Sequence, residues 1–279
     1  IKFVSYCSFS HFYKNYLSNK TDYKVSIYMH KSLNQIKSIV IIGSGNVATN
    51  LGLTLFNKGY LIKQVWSRSL VNADTLAKKL NCNATNDLKE ITNADLYIAT
   101  IKDDILHLVL DKLEVNNIVH TSGSLGLEVF NKKQKNSGVF YPLQTFNKKI
   151  NITFSNIPIL IEANNELFEK KIQAVGNQIS RSVIPMKSTQ RKKLHLAAVF
   201  ACNFTNHMFA IANNILTKSN IDFQLLLPLI NQTVHKIKNK NPKEVQTGPA
   251  KRHDKKMIKN HIKSIHDKKT KELYRLISE

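Results

Sequence analysis

Hydrophobic residues in the first two thirds of the chain follow two alternating patterns. Residues 39–42 form an uninterrupted β-branched run, which is typical of a strand buried on both faces of a parallel sheet. Beyond Gly43, apolar residues recur from Val47 onwards at the spacing of an amphipathic helix. The two patterns together predict a buried strand that turns sharply into a helix.

Short apolar runs continue to alternate with helical periods up to about residue 186. Further strands are predicted at residues 61–66, 95–101, 117–120, 138–140, 157–162 and 183–186. The helices predicted between them cover residues 74–80, 88–91, 105–113 and 167–179. Strands that alternate with helices indicate an α/β domain with a mostly parallel sheet, which we place at residues 37–186.

The pattern changes after residue 186, where helical periods alone continue to the end of the chain. Residues 196–217 contain no Asp, Glu, Lys or Arg, although the chain has 41 Lys and Arg residues. This helix therefore lacks an ordinary solvent face. We expect its apolar side to pack on a core or a second subunit and its uncharged polar side to face a cleft, within an all-α domain at residues 187–279.

The N-terminal extension, residues 1–36, shows neither pattern. It begins with Ile rather than Met, and Met29 lies shortly before the first predicted strand. We expect translation to start at Met29, and the extension to be disordered or not native.

The first strand–helix turn carries the sequence Gly-x-Gly-x-x-Ala, the dinucleotide-binding fingerprint in its Ala-ended form. The first glycine permits a tight turn, the second lets the backbone approach a pyrophosphate, and the alanine allows close packing of the helix. The alternative is a merely structural turn. The fingerprint predicts that the α/β domain is Rossmann-like and that its cofactor contacts are Gly43, Ser44, Gly45, Asn46, Val47 and Ala48.

A pair of residues that follows the second strand indicates which dinucleotide is bound. An NAD-type site places an acidic residue here, but no Asp or Glu occurs between Gly43 and Asp74. Arg68 and Ser69 stand in its place, and a guanidinium beside a hydroxyl suits a 2′-phosphate. The sequence therefore favours NADP over NAD, the alternative being a solvated surface arginine.

Two further strand ends should lie at the same edge of the sheet, where such folds bind ligands. Thr100 and Ile101 end one predicted strand, and Ser122 and Gly123 lie in a Gly/Ser loop after another. We expect these four residues to contact the cofactor, although an ordinary turn is an equally good interpretation of the Gly/Ser loop.

Candidate catalytic residues lie at and before the uncharged helix. His195 is predicted to donate a proton or hydrogen bond to a carbonyl oxygen, and Asn203 and Asn206 to orient the substrate. Lys187 and Arg191 are predicted to hold a carboxylate or phosphate on the substrate, which would then be a small anion. The alternative is a satisfied structural network of polar side chains.

Composition excludes several other classes of protein. The formal net charge is +22, but 36 of the 41 basic residues are Lys and no aromatic recognition motif accompanies them, so we do not predict nucleic-acid binding. The sequence contains no run of 18 purely apolar residues, so we do not predict a membrane span. The three cysteines and ten histidines show no metal-ligand or disulfide spacing, and a reduced, cytoplasmic setting without a metal follows.

The chain resembles an uncharacterised family that joins a Rossmann-like domain to a C-terminal helical domain of unknown function, the family numbered 2520. The motifs that carry the resemblance lie at residues 42–48, 120–124, 141–146, 194–207 and 246–250. His253 departs from it, because the family is expected to have a small Gly there.

This family is similar to pyrroline-5-carboxylate reductase, ketopantoate reductase and 6-phosphogluconate dehydrogenase. The resemblance implies NADP-linked reduction of a small C=O or C=N compound, a site between the two domains, and a homodimer formed through the helical domain. The alternative function is a non-catalytic NADP-binding sensor or interaction module, because the sequence shows no firm catalytic pair.

Overall fold

The structure is a computed structural model that describes residues 35–279. The expectations for a start at Met29 and for most of the N-terminal extension concern residues outside this range. The chain divides into two compact units, the first ending at Ala198 and the second covering Val199–Glu279. The first unit therefore continues twelve residues beyond the predicted domain boundary at residue 186.

The first unit is built on one eight-stranded sheet with the strand order β3-β2-β1-β4-β5-β6-β7-β8. The strands are β1 Ser38–Ile42, β2 Leu61–Trp66, β3 Asn83–Thr85, β4 Leu96–Ala99, β5 Ile118–His120, β6 Ser137–Pro142, β7 Ile159–Ala163 and β8 Val183–Pro185. All neighbours pair in parallel except β6 and β7, which are antiparallel. The Rossmann-like α/β fold predicted from the sequence is confirmed.

Helices connect most of these strands. In the first unit the connecting helices are α1 Asn46–Asn57, α2 Leu70–Leu80, α3 Asp103–Leu110 and α4 Glu166–Ile179, and α5 Ser188–Ala198 follows the last strand. Residues 88–91, predicted as a short helix, contain the 3-10 turn Leu88–Glu90. Asp87 caps this turn, since its carboxylate accepts a hydrogen bond from Lys89 N.

The central strand β1 explains why the sheet needs helices on both faces. Ile39 and Ile41 belong to the core that contains residues of α1, α2 and α4, whereas Val40 and Ile42 belong to the core that contains residues of α3. Neighbouring residues of a strand point to opposite faces of the sheet. All four side chains are buried because each face is covered by helices. An uninterrupted apolar run is the sequence signature of this arrangement.

The second unit consists only of helices. A π-helical segment, Val199–Phe204, precedes α6 Thr205–Thr217, α7 Leu227–Lys236, α8 Lys255–Ser264 and α9 Lys268–Ser278. The predicted charge-free helix is thus present, with a π-helical turn that sequence periodicity did not indicate. No residue of these helices is buried in the structure.

By length and composition alone, Ser188–Thr217 is long and apolar enough to cross a membrane. None of its 18-residue apolar window is buried in the structure. The criterion is weak, because the core helices of soluble proteins also meet it. The asparagines of this segment, such as Asn203 and Asn206, are costly in a lipid environment.

The antiparallel pairing of β6 and β7 predicts a strong difference between two Gly→Ala variants. A Cβ at Gly138 would lie 2.5 Å from the backbone oxygen of Glu162, whereas one at Gly52 would meet the flexible ends of Ile41 and Leu80. We expect Gly138→Ala to lower the free energy of unfolding by about 1–3 kcal/mol, because backbone cannot move aside easily. Gly52→Ala should cost less, since helix propensity offsets its crowding by about 1 kcal/mol. Urea denaturation of both variants measures the difference, and equal losses would contradict it.

Candidate active site

The fingerprint turn is closed by contacts with both neighbouring strands. Gly43 N donates to Trp66 O at 2.7 Å, and Thr100 N donates to Ile42 O at 2.7 Å. Gly43 has a φ of 124°, and a Cβ there would lie 2.5 Å from Thr100 Oγ1. Only glycine fits this position, because a side chain would be both strained and obstructed.

The start of α1 is open in the way that a phosphate-binding helix requires. A Cβ at Gly45 would meet no atom within 4 Å, and no side chain caps the first N–H groups of the helix. Ala48, one turn later, is fully buried and packs in the core. The free N–H groups and the positive end of the helix dipole suit an anion, so these residues fit the pyrophosphate of a dinucleotide.

Other predicted cofactor residues near this turn have protein partners. Ser44 donates through its hydroxyl to Ser67 Oγ at 2.9 Å, which joins the turn to the end of β2. Asn46 Oδ1 accepts from Lys148 N at 3.1 Å, and Asn50 Nδ2 donates to Asn147 O at 3.2 Å. The segment after β6 is therefore tied to the first turns of α1.

Arg68 and Ser69 lie where the sequence places them, between the end of β2 and the start of α2. Both are exposed, and the described part of the chain contains no ion pair of Arg68. Ser69 caps α2, accepting a long hydrogen bond from Asn72 N at 3.4 Å. The guanidinium of Arg68 is consequently available to a ligand at the carboxyl end of β2.

The loop after β5, residues 121–126, is called the β5 loop below, and His120 anchors its two ends. Ser122 N donates to His120 Nδ1 at 3.1 Å, so the proton of the neutral ring is on Nε2, which donates to Gly126 O at 3.2 Å. Burial lowers the pKa of His120 to about 4, with Arg191 adding to the effect, and the ring stacks on Phe130.

A carboxylate at the first residue of α3 holds the middle of the β5 loop. Asp103 accepts hydrogen bonds from the hydroxyls of Ser122, at 3.0 Å, and Ser124. Ser122 Oγ in turn accepts from the backbone N–H groups of Ser124 and Leu125. Ser122 is thus a buried structural residue of the loop. Ile101 is also partly buried, against the core on the α3 side of the sheet.

A histidine and a tyrosine meet beside the β5 loop. Tyr141 Oη lies 2.9 Å from His195 Nδ1, and the rings pack edge to face. Gly123 lies against both, since a Cβ there would be 2.5 Å from His195 Nδ1 and 2.8 Å from Tyr141 Cζ. Burial raises the pKa of Tyr141, so its phenol is protonated and able to donate a hydrogen bond to Nδ1.

Tyr141 is a site residue that the sequence analysis did not select. The sequence signal was its position in the 141–146 motif, directly after the predicted strand 138–140; in the structure it lies within β6. Its role depends on β6 lying beside β5 and on α5 returning to the sheet, which no local pattern specifies.

Arg191 has a different environment from the one predicted. Its side chain is fully buried and donates from Nη1 to Glu162 Oε2 at 2.7 Å and from Nη2 to Leu125 O at 2.7 Å. Burial opposes ionisation of Glu162, but hydrogen bonds from Arg191 and Ser188 outweigh it and lower its pKa. The prediction that Arg191 holds a substrate anion does not agree with this structure, because the guanidinium is enclosed and its charge is neutralised by Glu162.

The remaining predicted residues lie at exposed positions. Lys187 directly precedes α5, with no ion pair within residues 35–279. Asn203 and Asn206 belong to the second unit, so their roles stay predictions. The described residues contain no group of three or more His, Cys, Asp or Glu that could hold a metal ion.

Comparison with known proteins assigns each half of the chain. Residues 38–121 match the family described as NADP oxidoreductase, coenzyme F420-dependent, and residues 157–279 match the domain of unknown function DUF2520. No curated protein matches the chain. A solved structure from Bacteroides fragilis, named as a putative NADP oxidoreductase, is 42% identical, with a TM-score of 0.81, and the match covers 88% of this chain and 97% of that one.

Two more distant structures share the fold. A Thermotoga maritima protein has a TM-score of 0.62 at 23% identity, covering 86% of this chain and 95% of that one. A pyrroline-5-carboxylate reductase of Streptococcus pyogenes has a TM-score of 0.56 at 17% identity, covering 79% and 85%. The chain belongs to the family that joins a Rossmann-like NADP oxidoreductase domain to a C-terminal DUF2520 domain.

The buried state of His120 predicts a measurable pH dependence. The folded chain keeps this ring neutral down to about pH 4, whereas the unfolded chain protonates it near the ordinary value of 6.5. Stability is therefore full above pH 6.5 and falls by up to about 3 kcal/mol as the pH drops towards 4. In His120→Gln this part of the slope should vanish. Urea denaturation from pH 7 to 4 compares the two, and parallel curves would contradict the assignment.

Proposed function

We propose that this chain is an NADP-dependent oxidoreductase that reduces a small C=O or C=N metabolite. The observation that carries the proposal is the His195–Tyr141 pair against Gly123, at the same sheet edge as the fingerprint turn. With the pyrophosphate of NADP at the start of α1 and the 2′-phosphate of its adenosine ribose beside Arg68, the nicotinamide would extend towards β4 and β5. The pair would then face the reacting end of the cofactor.

The chemistry divides between cofactor and chain in this proposal. NADPH, when bound, would supply the hydride. His195 would donate the hydrogen bond or proton that the substrate oxygen or nitrogen needs as negative charge develops on it. In this proposal the phenol of Tyr141 donates to Nδ1, which leaves Nε2 as the nitrogen that carries a proton towards the substrate.

Substrate recognition is proposed for three exposed residues. Lys187 would attract a carboxylate or phosphate as a point charge, since it is unpaired among the described residues. Asn203 and Asn206 would orient the substrate in a site between the two domains. We also propose a cytoplasmic location, consistent with Cys82 and Cys202 being free thiols.

We further propose that the helical domain forms a homodimer. The helices of the second unit bury no residue, and many of its large apolar side chains are exposed, among them Phe200, Phe204 and Ile215. Such a surface needs a cover, because exposed apolar patches of this kind mark interaction sites. A second copy is favoured because two-fold pairing sets a patch against itself, and residues 194–217 carry no charge to repel their own copy.

Cofactor binding is the first test of the function. A ligand present at 100 times its Kd adds about 2.7 kcal/mol to stability, so NADPH should raise Tm clearly and NADH should raise it little. Arg68→Gln should weaken NADPH binding about tenfold, which corresponds to about 1.4 kcal/mol, and leave NADH binding unchanged. Titration calorimetry measures both. Arg181→Gln, another exposed arginine, is the control, and an equal loss there would contradict the role of Arg68.

Turnover tests the proton donor. With a panel of ketones, aldehydes and imines, we expect NADPH oxidation by at least one member. His195→Gln should then lower kcat by about 10²–10⁴ with the Kd of NADPH unchanged. Tyr141→Phe should lower kcat less, since the imidazole remains. NADPH binding with no hydride transfer to any labelled metabolite pool would instead support the non-catalytic sensor.

Light scattering coupled to gel filtration tests the dimer. The wild-type chain should elute at twice its monomer mass of 31.8 kDa, and Ile215→Lys should shift it towards the monomer. Leu70→Lys, an equally exposed apolar residue of the first unit, is the matched control and should leave the mass unchanged. A monomeric wild-type chain at micromolar concentration would refute the proposal.

A further inference from the structure

Arg191 is the one fully buried cationic side chain in the described chain, and its guanidinium contacts three segments. Nη1 donates to Glu162 Oε2 of β7 at 2.7 Å, and Nη2 donates to Leu125 O of the β5 loop at 2.7 Å. Nη2 also donates to Ser188 Oγ at 3.0 Å, and that hydroxyl donates to Glu162 Oε2 at 2.5 Å. A strand, a loop and the start of α5 are therefore held by one side chain.

His195 lies one helical turn after Arg191 on α5, so the two side chains occupy neighbouring positions on the helix. The imidazole of His195 packs on Gly123, which lies two residues before Leu125 in the β5 loop. The His195 ring is held by the helix that carries it and by the β5 loop behind it. Arg191 therefore joins the two segments that hold this ring. Tyr141 completes the contact from β6.

We propose that Arg191 is a positioning residue, which holds α5 and the β5 loop together so that His195 Nδ1 meets Tyr141 and Nε2 is left as the proton-bearing nitrogen. This role rests on the proposed function of His195 as the proton donor. It differs from substrate binding, because the guanidinium is fully buried and its Nη1 and Nη2 groups already donate to Glu162, Leu125 and Ser188.

The chemistry of the junction explains why an arginine stands there. The planar guanidinium offers donors in fixed directions, which lets it bind a carboxylate and a carbonyl on different segments at once. A lysine would keep the charge for Glu162 but lacks the fork that reaches Leu125 as well. An apolar pair could fill the same space without linking the loop to the helix.

Removing one partner and then both separates positioning from stability. Arg191→Met leaves the partly buried Glu162 carboxylate without its cation, so Tm should fall by roughly 10 °C. Arg191→Met combined with Glu162→Gln removes both charges and should recover most of that loss. The link to Leu125 stays broken in the double variant. Lys193→Met, at an exposed position of the same helix, is the control and should change neither property.

The decisive readout is the tautomer of His195 from the ¹⁵N NMR signals of its ring, assigned by comparison with His195→Gln. The wild-type chain should show one tautomer with unprotonated Nδ1. The double variant should show a mixture although its Tm is restored, and Arg191→Lys should show a mixture as well. A single tautomer in either variant would overturn the positioning role and leave Arg191 a purely structural residue.

Failure of this proposal can be distinguished from failure of the proposed function with the same protein samples. If the wild-type chain failed to bind NADPH, the oxidoreductase proposal would fall. The tautomer comparison needs no cofactor or substrate, so it would still decide whether Arg191 orients His195.

Discussion

The buried ion pair between Arg191 and Glu162 is the interaction on which the candidate site depends. A charge that is fully enclosed must be paired, and this requirement brings β7, the β5 loop and α5 to one point. With α5 fixed there, His195 lies against Gly123 and Tyr141. The pair also explains why the first compact unit continues to Ala198, since it ties α5 to the sheet.

The sheet supplies the other half of the site through a steric constraint. β1 and β4 approach so closely that residue 43 has no room for a side chain, which leaves the backbone exposed at the start of α1. On either side of this turn, Arg68 follows the end of β2 and the β5 loop follows β5. Because neighbouring parallel strands end at the same edge, one extended dinucleotide would meet all three features.

The sequence predicted those features whose causes are local. The run 39–42 and the fingerprint identified the Rossmann-like fold, since buried strands and tight turns restrict the residues they contain. The partner of Arg191 was not predictable, because Glu162 lies on strand β7 and Arg191 on helix α5, and only the folded chain brings the two together. The pairing of Tyr141 with His195 and the antiparallel β6–β7 contact are long-range for the same reason.

A crystal structure of the chain with NADPH tests the central claim most directly, that the fingerprint turn and the His195–Tyr141 pair form a single site. The account predicts the pyrophosphate at the start of α1, the 2′-phosphate at Arg68, and the nicotinamide ring at Gly123 on the side of His195. A nicotinamide ring directed away from the β5 loop would contradict it, because His195 would then have no reacting centre to serve.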